Sequence, residues 1–141
     1  MTQLQPAVAN AIAIWHNMIA TKNLSELPEM VRTDAVFRSP MVYKPYVSAQ
    51  AVVLILNTAF EVFENFTYHR ELASEDGLNV VLEFSATVGD KQLKGIDLIQ
   101  FDTDGKIVEF EVMVRPMSGL QALAQEMGAR LAQTLPAFKK T

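Results

Sequence analysis

The sequence predicts an α+β fold: a curved antiparallel sheet wrapped by N-terminal helices, with one extra helix at the C-terminal end. Two observations carry this. Apolar residues recur at helical spacing as far as Glu64 and again after Pro116. Between those stretches, from Thr67 to Arg115, the period changes to two and is broken only by short turns rich in glycine and acidic residues. Helices followed by an antiparallel meander define the class.

Each element follows from local pattern. Val8, Ile12, Trp15 and Ile19 share one side of a helix over Val8 to Ile19, with Pro6 suited to its first turn and an end near Lys22-Asn23. Ser25 to Met30 starts a short second helix, with Ser25 as cap and Pro28 in the first turn. Ala35 to Arg38 is a short strand stopped by Ser39-Pro40, and Met41 to Ser48 is a loop holding Tyr43 and Tyr46. Ala49 to Glu64 is a third helix with Val52, Ile55, Leu56, Ala59, Phe60 and Phe63 on one side. Four strands follow, at Thr67 to Leu72, Val80 to Val88, Leu93 to Phe101 and Lys106 to Arg115. Glu75-Asp76-Gly77, Gly89-Asp90 and Asp102-Thr103-Asp104-Gly105 are turn chemistry, and short turns make neighbouring strands antiparallel. The last helix, Ser118 to Leu135, carries a stripe of Leu120, Leu123, Met127, Leu131 and Leu135. No repeat or linker divides residues 1–141, which read as one domain.

Composition narrows the function classes. Half of the 141 residues are hydrophobic, enough for a sizeable core, and there is no cysteine for a disulfide or a thiolate site. The net charge of −4 and the lack of a basic patch argue against nucleic acid as partner. Met1 to Asn10 does not read as a signal peptide and no apolar run is long enough for a bilayer, so the expected setting is cytoplasmic and away from membrane. There is no metal-ligand cluster, phosphate loop, nucleotide fingerprint or nucleophile elbow, so no metal and no cofactor are expected. Asp102-x-Asp104-Gly105 lacks the other ligand positions of a calcium loop and reads as an acidic hairpin turn.

One residue breaks the pattern. In the last strand Val108, Phe110, Val112 and Val114 alternate with Glu109, Glu111, Met113 and Arg115. Pairing Phe101 with Lys106 across the turn sets Asp97 opposite Phe110, beside Ile99 and Phe101 on the apolar face. A carboxylate there must be protonated, paired or facing a cavity. The plainer alternative is a structural acid paired with a core tyrosine or tryptophan.

The run from Asp97 to Ile107 resembles the late hairpin of ketosteroid isomerase, and the element order agrees up to Pro116. The chain is identified as resembling the NTF2-like superfamily, in its SnoaL-like and ketosteroid-isomerase-like branch. The resemblance implies a cone-shaped, cystatin-like fold around a pocket for a small apolar molecule. It also implies a homodimer through the outer sheet face, around Ile96, Leu98 and Met113. Asp97 falls where the isomerase keeps a protonated oxyanion-hole aspartic acid. Trp15 stands where it has its oxyanion tyrosine, and Ser39 where it has its aspartate base. The final helix is an addition to the isomerase pattern. The expected function is cofactor-free acid–base chemistry, of isomerase, cyclase or hydrolase type, on a small apolar carbonyl or polyketide-like compound. The alternative is a non-catalytic ligand-binding or dimerisation module.

The candidate catalytic residues are Asp97 and His16, which sits at the edge of its helix's apolar face and could reach a pocket mouth. The candidate ligand-binding residues are Trp15, Ser39, Tyr43, Phe60, Phe63, Tyr68, Phe84, Phe110 and Val112. Each has a bland counterpart. Trp15 suits ordinary core packing, and Ser39 suits the turn before Pro40. The Tyr43-Lys44-Pro45-Tyr46 loop either covers the pocket or packs over helix ends. A lone histidine is more often satisfied on the surface than catalytic, and His69 alternates away from Tyr68.

Overall fold

A computed structural model describes residues 3–132. The helices are α1 (Pro6–Thr21), α2 (Leu27–Met30), α3 (Ala49–Val62) and α4 (Met117–Leu131). The strands are β1 (Val31–Arg38), β2 (Tyr46–Val47), β3 (Glu64–Ala73), β4 (Asn79–Val88), β5 (Lys91–Phe101) and β6 (Ile107–Arg115). All six strands join one curved sheet in the order β2-β1-β6-β5-β4-β3. The predicted meander is present, since β3, β4, β5 and β6 pair in succession and antiparallel.

The sheet departs from the prediction on its other side. β1 starts at Val31 rather than Ala35 and pairs parallel with β6, from Val31 opposite Ile107 to Arg38 opposite Glu111. This pairing is non-local, so neither strand's own periodicity encodes it. Part of the predicted loop also becomes a strand, because Tyr46-Val47 pairs with β1.

The helix ends obey simple capping rules, with one correction. The Ser48 hydroxyl accepts from the Ala51 N–H at 3.1 Å and starts α3. At α2 the cap is Glu26, with no side-chain bond, and the Ser25 N–H donates instead to Asn23 Oδ1 at 3.0 Å. The buried stripe of α4 is Gly119, Leu123, Met127 and Leu131, with Leu120 half-buried beside it. Leu135 lies outside the described residues.

The β5–β6 register positions the site. Asp97 sits opposite Val112, not Phe110, and Ile99 takes the place opposite Phe110. The difference of two residues leaves every side chain on its predicted face, because the strand period is two. An irregularity follows, with Gln100 opposite Glu109 and Phe101 opposite Ile107. That bulge leaves Val108 unpaired and out of phase. Ile107 is therefore the fully buried residue, and Val108, expected on the apolar face, is only half-buried.

The core fills the concave face. Trp15 on α1 meets Phe110 and Phe60, at ring-centroid distances of 5.4 and 5.8 Å. Phe66 stacks on Phe84 at 4.9 Å. The Phe84 ring occupies space that Gly95 leaves open across the sheet. A Cβ on Gly95 would stand 2.8 Å from Phe84 Cζ and closer still to the Met113 carbonyl. Gly95→Ala should therefore lower stability by about 1–3 kcal/mol through overpacking. Urea unfolding checks this, the midpoint falling with no change in slope.

Candidate functional site

Asp97 projects from the middle of β5 onto the concave face, between its register partners Leu82 on β4 and Val112 on β6. It is 4% exposed. Its Oδ2 accepts a hydrogen bond from the Tyr68 hydroxyl on β3 at 2.6 Å. The Tyr68 oxygen in turn accepts from the Trp15 indole N–H at 2.9 Å. A helix and two strands thus converge on one carboxyl through a single chain of hydrogen bonds. Among the described residues Asp97 Oδ1 has no hydrogen-bond partner, yet no fully buried side-chain polar atom there lacks one. Oδ1 must therefore touch open space.

That space is a small inner chamber of about 40 Å³. Ser39, Ala59, Phe60, Phe63, Val112 and Met127 line it together with Asp97. An outer cleft of about 370 Å³ adjoins it and shares Ser39, Met41, Ile55 and Met127. Tyr46 and Gly128 extend the walls of the cleft. The larger hollow of about 700 Å³ lies elsewhere, between the ends of α1 and α3 and the start of β3. Its lining includes Lys22, Asn57, Glu61 and Asn65, and it is mixed in polarity. Phe60 and Phe63 border both this hollow and the Asp97 chamber. The buried acid lines the smaller chamber and not this larger hollow.

Burial sets the electrostatics. Loss of water pushes the Asp97 carboxyl up from 3.8 to about 7, and the Tyr68 hydrogen bond opposes that rise. Burial and the neighbouring carboxyl push the Tyr68 phenol well above its usual 10.0, so it stays protonated as a donor. Both acidic and ionised forms of Asp97 are then populated near neutral pH.

The structure sorts the sequence-predicted residues. Asp97, Ser39, Phe60, Phe63 and Val112 meet at the inner chamber. Tyr68 reaches it only through its hydrogen bond to Asp97, and Trp15 only through its hydrogen bond to Tyr68. Asp97 is thus paired with a core tyrosine, as the plainer reading has it, and also borders a small cavity. Phe84 and Phe110 are fully buried behind the wall and do not line the chamber. Tyr43 does not line it either. It is 97% exposed, because the loop turns Met41, Val42 and Tyr46 toward the cleft instead. His16 lies outside the chamber, with Nε2 2.8 Å from Glu71 Oε1 and its ring edge-on to Tyr68 at 5.3 Å. His69 pairs with the Ser85 hydroxyl at 2.8 Å. The Ser39 hydroxyl accepts the Met41 N–H at 3.0 Å, so it satisfies its turn while facing both cavities.

Leu123 and Met127 were legible as the buried stripe of the last helix but not as pocket walls. Pro40 and Met41 carried no such signal. Among the described residues no group of histidine, cysteine or acidic side chains could hold a metal. No helix there is long and apolar enough to cross a membrane.

A curved sheet wrapped by helices is the cystatin-like, NTF2-like architecture. The SnoaL-like domain family matches residues 12–110, and the chain belongs to it. A Pseudomonas aeruginosa protein named steroid delta-isomerase is 60% identical, with a TM-score of 0.91 over 96% of this chain and 99% of that one. An uncharacterized conserved bacterial protein with a cystatin-like fold, from Silicibacter pomeroyi DSS-3, is 28% identical, with a TM-score of 0.85 over 96% of each chain. A putative SnoaL-like polyketide cyclase from Jannaschia sp. CCS1 shares the fold, at 10% identity and a TM-score of 0.68, over 88% of this chain and 96% of that one. No functionally curated protein matches.

The raised Asp97 pKa links stability to pH. The folded state holds this proton more tightly than the unfolded chain, so the contribution is full below about 3.8 and is lost as pH rises through about 7. At about 1.4 kcal/mol per pH unit the loss is about 4 kcal/mol. Asp97→Asn removes it. The variant should gain on the wild type by up to about that amount between pH 4 and pH 8. Urea unfolding of both proteins at the two pH values measures the difference.

Proposed function

We propose that this protein is a cofactor-free acid–base enzyme acting on a small apolar carbonyl compound, with Asp97 as the group that gives and takes the proton. The carrying observation is the buried carboxyl at the end of an apolar cavity, with one oxygen tied to Tyr68 and the other reaching open space. A pKa near the working pH suits a group that must both donate and accept. The chamber of about 40 Å³ has room for roughly three waters, so it takes an oxygen and a few attached atoms. The apolar body of the ligand lies in the outer cleft. The name of the Pseudomonas relative, at 60% identity, favours isomerisation within this class.

One observation favours a second reading, binding without turnover. Asp97 is the sole titratable side chain lining the inner chamber among the described residues, and Ser39 beside it, which the resemblance sets at the isomerase's base position, is a poor base.

Proton exchange in deuterium oxide separates the two. The wild type should speed deuterium uptake beside the carbonyl of 2-decalone, followed by proton NMR. Asp97→Asn should slow that catalysis by about 10²- to 10⁴-fold. Binding of 2-decalone without faster exchange selects the second reading, and failure to bind it at all defeats both.

We also propose a homodimer through the outer face of the sheet. Leu72 and Met113 are 59% and 45% exposed there, and Ile96 and Leu98 are half-buried beside them. Light scattering at micromolar concentration should give twice the chain mass, and a monomeric mass would overturn the proposal.

A further inference from the structure

We infer that Trp15 is a positioning residue. Its indole N–H fixes the direction of the Trp15–Tyr68–Asp97 chain, so that the acid proton of Asp97 sits on the oxygen facing the cavity and the pocket selects ligands offering an acceptor oxygen. The inference deepens the proposed function and rests on Asp97 being the group that meets the ligand.

The direction follows from the donor inventory. An indole nitrogen can only donate. Trp15 therefore makes the Tyr68 oxygen an acceptor at 2.9 Å. The phenolic proton must go elsewhere, and among the described residues its one acceptor is Asp97 Oδ2 at 2.6 Å. If Oδ2 donated instead, the phenolic proton would be buried without a partner, which costs about 1–3 kcal/mol. Oδ2 is thus held as an acceptor. In the neutral acid the carbonyl-type oxygen is the better acceptor, which leaves the proton on Oδ1. That oxygen has no partner among the described residues and reaches the chamber. A tyrosine at position 15 would not impose this, because a hydroxyl can donate or accept.

The pocket then changes character with the charge on Asp97. The neutral acid presents a donor and favours ketones. The ionised form presents an acceptor and favours alcohols. Few groups interfere. From β3 the titratable neighbour is Tyr68, and beyond it lies the Glu71 pair with His16 of α1. The chamber-lining residues of α3, α4 and β6 are all apolar, and the register partner on β4 is Leu82.

Trp15 is the only tryptophan of the chain, so one indole N–H signal in a proton–nitrogen NMR spectrum reports on the relay without any ligand. It should titrate with a midpoint near 7, as ionisation of Asp97 pulls on Tyr68 and tightens the indole bond. The titration should persist in His16→Gln and vanish in Asp97→Asn and in Tyr68→Phe. Trp15→Phe keeps an aromatic ring against Phe60 and Phe110. It should nonetheless raise the Asp97 midpoint, read by carboxyl carbon NMR, and should narrow the preference for 2-decalone over 2-decalol at pH 5 by about tenfold. A residue that only packs would leave both unchanged. An indole signal that ignores pH, or follows it equally in Asp97→Asn, overturns the relay even where 2-decalone binds and exchanges. If the indole titrates as described while 2-decalone does not bind, the relay stands and the proposed function falls.

Discussion

A carboxyl group taken out of water with one hydroxyl as its partner is the constraint around which this fold is arranged. Asp97 lies in the central part of β5, where both neighbouring strands supply apolar partners and, among the described residues, no cation is within the chamber lining. Desolvation disfavours the charge, so the group responds by holding its proton to higher pH. The same low-dielectric surroundings strengthen any hydrogen bond the neutral acid makes. Stability and chemistry are therefore opposed at this residue. On the proposed acid–base reading, the environment that makes the acid useful is the one that costs the folded state stability as pH rises toward about 7.

The surrounding elements shape that environment. Gly95, two residues before Asp97 on the same face, leaves room for the Phe84 ring, which packs against Phe63 and Phe66. Phe60 and Phe63 then form a wall between the chamber and the polar hollow beyond α1 and α3. On the opposite side α4 folds back over β5. A Cβ at Gly119 would lie 2.7 Å from that of Leu93, so a larger residue would push the helix away. That close approach brings Leu123 and Met127 over the cavity. The added helix is thus a structural part of the pocket.

Features written in local periodicity were legible in the sequence, and features made by distant contacts were not. The inward direction of Asp97 was readable because alternation fixes a face, and an error of two residues in register cannot flip it. The bulge that exchanges Val108 for Ile107 leaves no such trace, since both are β-branched apolar residues. The parallel pairing of β1 with β6 depends on chain returning across the sheet, and neither strand's pattern specifies its partner. Loop side chains were harder still. Tyr43 and Tyr46 look alike in sequence, but Tyr46 enters β2 and is buried while Tyr43 projects into solvent. His16 reads as near the pocket because it lies at the edge of its helix's apolar face. Its ring pairs instead with the exposed Glu71, outside the chamber lining.

A site with one titratable group has consequences that a two-group site does not. Where one residue moves the proton and another steadies the oxygen, the two can stand on different sides of the substrate. Trp15 can donate but cannot ionise in the working range, and the Ser39 hydroxyl is a poor base already engaged by the Met41 N–H. On the proposed acid–base reading, both halves of a proton transfer then fall to Asp97. Its Oδ2 is committed to Tyr68, so the same Oδ1 must accept the proton and return it. The two reacting atoms of the substrate must accordingly present themselves to one point on one face, with little movement between the steps. A narrow chamber whose apolar walls hold the ligand against a single oxygen meets that demand. The tightness around Asp97 is, on this view, what lets one carboxyl do the work of two.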